Sequence, residues 1–403
     1  MVHSDDHWFP AGKDSDGKPE TLEETSALAD DHAEHGFGDD TRPEKGAERA
    51  GAWTLAWWKF RRHKLALASG VVVILIYLVA AFADFLAPEG PNEFAARYTY
   101  APPQQLHVWD GERLGLYVNG YQVKVNPESF AREFVIDEDS RIDVGLFVRG
   151  APYRLWGMIP MDRHLIGPID PSQPMYLWGA DRLGRDMLSR IIFGTRISMT
   201  VGLIGVTLSL IFGVLLGGIS GYYGGAADTI IQRVIEFLLA IPTIPLWMGL
   251  AAAIPPTLPP VQVYFMITII LSLVGWTGLA RVVRGRFLAM KNEDFVVAAR
   301  LDGAREIGTI VRHMLPSFAS HIIAAVTLAI PVMILSETAL SFLGIGLRPP
   351  VVSWGVLLQE AQNIRTVATA PWLLLPGVAV VVTVLALNFL GDGLRDAADP
   401  YSD

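Results

Sequence analysis

Apolar runs long enough to cross a lipid bilayer recur along this chain, and they constrain its fold more than any other feature. A spanning helix needs about 20 apolar residues. Six stretches reach or approach that length: 65–86, 197–220, 230–253, 263–279, 322–343 and 372–390. Lipid offers no partner to a backbone N–H or C=O, so such runs must close their hydrogen bonds internally as helices. The reading is an all-α polytopic membrane protein with six transmembrane helices. A hydrophobic share of 51% fits it, as does a mean hydropathy of +0.35. The net charge of -9 is concentrated at one end, where residues 1–50 hold fourteen Asp or Glu against five Lys or Arg, and it gives no sign of nucleic acid as a partner. With no cysteine, disulfides, Cys-ligated zinc and thiol nucleophiles are excluded.

Residues 1–50 are polar and acidic with no sustained period, and are expected to form a disordered cytoplasmic tail. His3, His7, His32 and His35 fit no zinc spacing, so no metal site is expected. A signal peptide is not expected either, since the first apolar run starts near residue 65. Residues 51–64 mix Trp53, Trp57 and Trp58 with Lys59, Arg61, Arg62, His63 and Lys64, the composition of an interfacial helix. The first span, 65–87, then runs from inside to outside.

Residues 88–174 alternate with period two, which predicts a small β-rich extracytoplasmic insertion between helices 1 and 2. Asn119-Gly120, flanked by Leu114–Val118 and Tyr121–Val125, predicts a hairpin turn, and Ile142–Val148 a further strand. Residues 175–403 form the core of the remaining five spans. Gly205, Ser209, Gly213, Gly217, Gly221 and Gly225 recur every four residues, a row that lets helix backbones meet closely in lipid. Arg233 and Glu236 are three apart and can pair along a helix that also contains Pro242. Glu337 is the one acid of the fifth span. Intramembrane charge is costly, so it is either a pathway or gate residue or a buried hydrogen-bonded tie between helices.

Between the fourth and fifth spans lies a polar loop, 291–316, that reads as helix, turn, helix. Asn292, Glu293 and Asp294 supply a cap and an acidic first turn, and Asp302-Gly303 the break. Seven Lys or Arg between Arg281 and Arg312 place it in the cytoplasm by the positive-inside rule.

Ala298-Ala299, Gly303 and Leu315-Pro316 resemble the EAA loop of ABC-importer permeases, E-A-A-x3-G-x9-I-x-L-P, with Val297 at the glutamate position and His313 at the isoleucine position. Three further segments look like the dipeptide/oligopeptide permease family, as its second, C-type permease: Gly179–Ser198, with Ala180 in place of threonine; Pro349-Pro350 with Ser353-Trp354-Gly355; and Asn388–Pro400. The resemblance covers about 55–88 and 175–403. It implies the type I ABC importer fold and half of a translocation pathway for di- or oligopeptides delivered by a periplasmic binding protein. It also implies a bacterial inner membrane location with both termini cytoplasmic. The partners would be a second homologous permease, two ATP-binding subunits that hold ATP and Mg, and the binding protein. The coupling contact would then involve Glu293, Ala298, Ala299, Arg300, Gly303, Leu315 and Pro316. No G-x-x-x-x-G-K-[ST] occurs, so ATP hydrolysis is expected in a separate subunit, with no cofactor in this chain.

Three alternatives stand beside this. The same importer class could carry oligosaccharides or other solutes. Gly218-Ile219-Ser220-Gly221 with His321 could form the dyad of a rhomboid-like intramembrane protease. A proton-coupled carrier would need acids that the spans largely lack.

Overall fold

The computed structural model describes residues 52–109, 114–125, 127 and 132–398, and a compact unit begins at Ala56. The expected acidic tail, its histidines, and Asp399 and Pro400 of the terminal motif lie outside the described residues.

Helix α1 (Ala52–Arg62) ends in Lys59, Arg61 and Arg62. His63 then caps α2 (Lys64–Ala81), its Nδ1 accepting from the Ala66 N–H at 3.1 Å. A short α3 (Ala83–Leu86) follows. Phe60, Ala66 and Ala397 share a small core, which fixes this corner to the C-terminal helix.

The strands are β1 (Leu106–Trp109), β2 (Leu114–Val125), β3 (Arg132–Leu155) and β4 (Ile159–Pro168), paired antiparallel in that order. The first half of β3 pairs with β2 and the second half with β4. The turn predicted at Asn119-Gly120 is not there. Both residues sit mid-strand in β2, beside a register shift in which Asn119 opposes Arg141 and Gly120 opposes Asp137. The glycine is used for close approach: a Cβ on Gly120 would stand 2.5 Å from the Ser140 hydroxyl. The chain reverses between Val125 and Arg132 instead.

The helical core comprises α4 (Met187–Tyr223), α5 (Gly225–Ala240), α6 (Thr243–Ala252), α7 (Pro260–Met290), α8 (Asp294–Leu301), α9 (Glu306–Thr309), α10 (Ala319–Phe342), α11 (Trp354–Leu358), α12 (Ile364–Thr369) and α13 (Leu375–Ala398). Helix α4 starts at Met187 rather than near Ile197, because Arg190 and Arg196, which interrupt the apolar run, are both paired inside the fold. Asp186 caps it by accepting from the Ser189 N–H at 2.7 Å. Five helices among the described residues are long and apolar enough to cross a membrane. The third expected span is not one straight helix: α5 and α6 meet at 90°. The break falls at Ile241-Pro242, where proline holds the preceding residue extended, at φ -91° and ψ 129°.

Helix α4 packs most extensively on α7, while α13 lies against both α10 and α2. The four-residue row makes the α4–α7 contact. A Cβ on Gly213 would stand 2.9 Å from Leu279 Cβ, one on Gly217 2.5 Å from the Ala280 carbonyl oxygen, and one on Gly221 2.7 Å from that of Arg284. Gly205 faces Met333 of α10. Ser272 donates across to the Gly205 carbonyl at 3.0 Å, and Ser209 to that of Ser272 at 3.4 Å. Gly225, at φ 57°, has open space where a Cβ would go; it begins α5 and lies outside the row on α4.

Candidate functional site

Two clusters of polar side chains, one at each end of α4, hold the residues singled out from the sequence. The one at the C-terminal end centres on α8. Its N-cap is Glu293, whose side chain makes no capping bond, and Asp294 begins the first turn. Its C-terminus closes through two bonds, Gly303 N–H to the Arg300 carbonyl and Ala304 N–H to the Ala299 carbonyl, both 3.0 Å, around a Gly303 φ of +81°. This is a Schellman cap, which needs a residue free to adopt the left-handed conformation. The second arm is α9, then a single π-type turn (Ile310–Met314) that includes His313, and Leu315–Ser317.

Val296 and Met314 anchor the two arms in one small core with Tyr222, Val283, Phe287 and Phe318. The Arg300 guanidinium lies 5.1 Å from the centre of the Tyr222 ring. Tyr223 donates to Glu306 Oε2 at 3.0 Å. Other residues of the elbow are open: Ala298 and Gly303 are exposed, as are Phe295, Val297, Leu301 (83%) and Ile307 (73%), and Arg300 is exposed although it lies on Tyr222. Ala299 is buried, Leu315 half-buried and Pro316 exposed.

Ser220, the candidate nucleophile, is buried and committed elsewhere. It hydrogen-bonds Asp228 and accepts from Gln232 Nε2 at 3.1 Å. Asp228 in turn takes two bonds from Arg284, at 2.6 and 2.7 Å, joining the ends of α4, α5 and α7. The Ser220 hydroxyl is given to a carboxylate already paired with arginine, a bond that competes with activation as a nucleophile, so the protease reading is not favoured. Arg233 and Glu236 do pair, at 2.7 Å on an exposed face of α5.

The cluster at the N-terminal end is built around Glu337, which is 0% exposed. Its Oε1 accepts from Ser341 and Ser353, both at 2.7 Å, and its Oε2 from Ser198 at 3.4 Å. Ser198 also accepts from the Trp354 N–H at 3.2 Å, and the Trp354 indole, fully buried, donates to the Ile191 carbonyl at 3.3 Å. The carboxylate thus ties α4, α10 and the start of α11, and in this conformation it faces side chains rather than an opening.

Just outside, Asp181 takes the Arg185 Nε at 2.6 Å and lies 3.4 Å from Arg190 Nε, while Glu360 reaches Arg185 at 3.5 Å and Arg182 at 3.4 Å. Arg196 pairs with Asp84 at 2.7 Å, which ties α4 to α3. Burial pushes the Asp186 carboxyl up to about 6 despite its Ser189 and Leu188 bonds. Burial, with Asp186 and Glu93 close by, pushes Glu89 up to about 8. Burial likewise raises Glu360. Reading by sequence found the segments but not these partners, because an Arg196–Asp84 or Tyr223–Glu306 pair joins positions far apart in the chain. No group of three or more His, Asp or Glu placed to hold a metal occurs among the described residues.

Residues 213–401 match the family of binding-protein-dependent transport system inner membrane components, and residues 51–103 match the N-terminal TM domain of oligopeptide transport permease C. Among curated proteins, the chain is 37% identical over 232 residues to the dipeptide transport system permease protein DppC of Bacillus subtilis, covering 57% of this chain and 70% of that one. It is 34% identical over 238 residues to the oligopeptide transport system permease protein OppC of the same species, covering 59% and 75%. It is 40% identical over 230 residues to the glutathione transport system permease protein GsiD of Pectobacterium atrosepticum, covering 57% and 74%.

Proposed function

The chain belongs to the family of binding-protein-dependent transport permeases, and on that premise we propose that it forms half of a peptide-conducting passage driven by ATP that other subunits hydrolyse. It is a transport subunit and not an enzyme, a C-type permease of the dipeptide/oligopeptide class of ABC importers. In this reading α5 and α6 together make a broken third span, which brings the count to the six of a type I importer fold, and both termini lie in the cytoplasm of a cell whose inner membrane holds the complex. The companions are a second permease, two ATPases that bind ATP and Mg, and an external binding protein.

One observation carries the coupling step. The α8 elbow is locked to the protein by Val296, Met314 and the Arg300–Tyr222 contact, and it presents bulky apolar side chains, Phe295, Leu301 and Ile307, to solvent. Exposed apolar surface beside a rigid anchor is the form of a docking element. With Val297 in place of an acid, grip on the ATPase rests on shape at Ala298 and Gly303 and on the charges of Glu293 and Arg300, with Leu315 and Pro316 setting the exit; Ala299, expected to share that contact, is buried and packs inward instead.

Gly303→Val tests it. At φ +81° a β-branched residue strains the backbone by about 1–2 kcal/mol even though the space is open, so the cap is redrawn while the membrane core is untouched. In proteoliposomes holding the complete importer, peptide taken up per ATP hydrolysed should drop severalfold while basal hydrolysis persists. Unchanged stoichiometry would refute the assignment of this loop.

A further inference from the structure

The β3–β4 hairpin has features that neither transport nor coupling uses. We infer that it is a membrane-seated finger, its tip at Trp156–Ile159 lying in the outer headgroup layer beside the first span, with Arg154 directed to the phosphate of anionic phospholipid.

The height of the tip is set by the first span. Helix α2 has 18 residues and is therefore about 27 Å long, close to the hydrocarbon thickness of about 30 Å. Its last residue, Ala81, thus marks a boundary of the apolar layer. The Trp156 indole N–H donates to the Ala81 carbonyl at 2.8 Å, satisfying one of the acceptors that a helix end leaves over. Two ring contacts and one polar contact hold the hairpin in the same place. Trp156 packs on Phe82 with centroids 5.5 Å apart, Phe147 on Phe85 at 5.9 Å, and buried His164 sets Nδ1 2.6 Å from the Ala87 carbonyl. Tryptophan at such a boundary is at the depth its amphipathic ring prefers. Trp156 also adopts φ 54°, a conformation bulky residues rarely take.

What projects past that ring is apolar. Met158 is 74% exposed and Ile159 is also open, as are Ile74, Leu75 and Leu78 on α2. The flank is cationic: Arg149, Arg154 and Arg163 stand against one acid, Asp162, which pairs with Arg149 at 3.8 Å. Near the tip a hollow of about 520 Å³ is lined by Pro152, Tyr153, Arg154, Pro160, Met161 and Asp162, open enough for a headgroup. In the other half of β3, at its register shift with β2, Asp137, Glu138 and Asp139 carry the opposite charge, with Glu138 and Asp139 exposed. Apolar tip, basic flank and fixed depth together select an anionic lipid surface.

Because the chain has no cysteine, a nitroxide on Met158→Cys reports on this one site when the partner subunits are made free of cysteine. The complete importer would be reconstituted in vesicles of phosphatidylglycerol and phosphatidylethanolamine, with Leu75→Cys and Asp139→Cys as lipid and water references. The 158 label should collide more with oxygen than with a nickel chelate, as at position 75. Replacing phosphatidylglycerol by phosphatidylcholine should move it towards water, and should not do so when Arg154→Gln is added. A label at 158 that behaves like the one at 139 overturns the inference. So does one shielded from both agents, which would mean that a partner subunit covers the tip. Equal lipid dependence with and without Arg154 overturns the role given to that residue.

Discussion

Adding one methyl group at two glycines should have opposite consequences, and the difference measures how tightly α4 and α7 meet. Gly217→Ala puts a Cβ 2.5 Å from the Ala280 carbonyl oxygen and 2.9 Å from its Cα, both backbone atoms that no rotamer change can move. Ordinary contact needs about 3.5–4.0 Å, so the helices must part by about 1 Å. Overpacking of that kind costs about 1–3 kcal/mol. Gly278→Ala, on α7 itself, meets nothing within 4 Å. Both variants gain the same helix preference, about 1 kcal/mol over glycine. It cancels on subtraction, so Gly217→Ala should be less stable than Gly278→Ala by about 1–3 kcal/mol, the price of the contact alone. Denaturant titration of the purified chain in one detergent, followed by tryptophan emission, would read it. A difference below about 0.5 kcal/mol would refute the close approach of the two backbones.

Two further outcomes follow from the polar ties. Asp228→Ala and Arg284→Ala, made singly and together, should show a coupling of about 0.5–2 kcal/mol in a double-mutant cycle of stability, because the pair is bidentate yet partly exposed; simple additivity would contradict it. Glu89, held near 8 in the fold against an ordinary value of 4.5, keeps a proton that the unfolded chain releases, so its contribution is complete below about 4.5 and is lost as pH rises through about 8. Stability of the parent should therefore fall across that window relative to Glu89→Gln, by up to about 1 kcal/mol per pH unit, and parallel pH profiles would show that Glu89 is ionised in the fold.

The sequence displays its membrane helices openly, because each apolar run carries its own reason to be helical. Their ends were less legible. Arg190 and Arg196 look like a boundary until Asp181 and Asp84 are brought beside them, and nothing local announces those partners. Pro242 was visible within the third span, but only the structure turns it into a right-angled break. Asn119-Gly120 misled for the opposite reason. A strong two-residue turn preference was overruled by pairing along all of β2, and the glycine served the approach of Ser140 instead. At the elbow the helix, the break and the second arm were readable from Asp294, Gly303 and Pro316, whereas the grip of Tyr222 and Tyr223 on Arg300 and Glu306 was not. For Glu337 two readings were open, and three serines contributed by three different segments describe the buried tie.

Helix α4 has 37 residues without a break, a straight length of about 55 Å. One tip is pinned through Arg190 to the Pro91 carbonyl, the other through Tyr222 and Tyr223 to the elbow. Such an element has no joint at which to lose motion. Tilting it by about 10° about its middle would swing its two tips about 5 Å in opposite senses, so a displacement at one tip reaches the other at similar size, like a rocker arm.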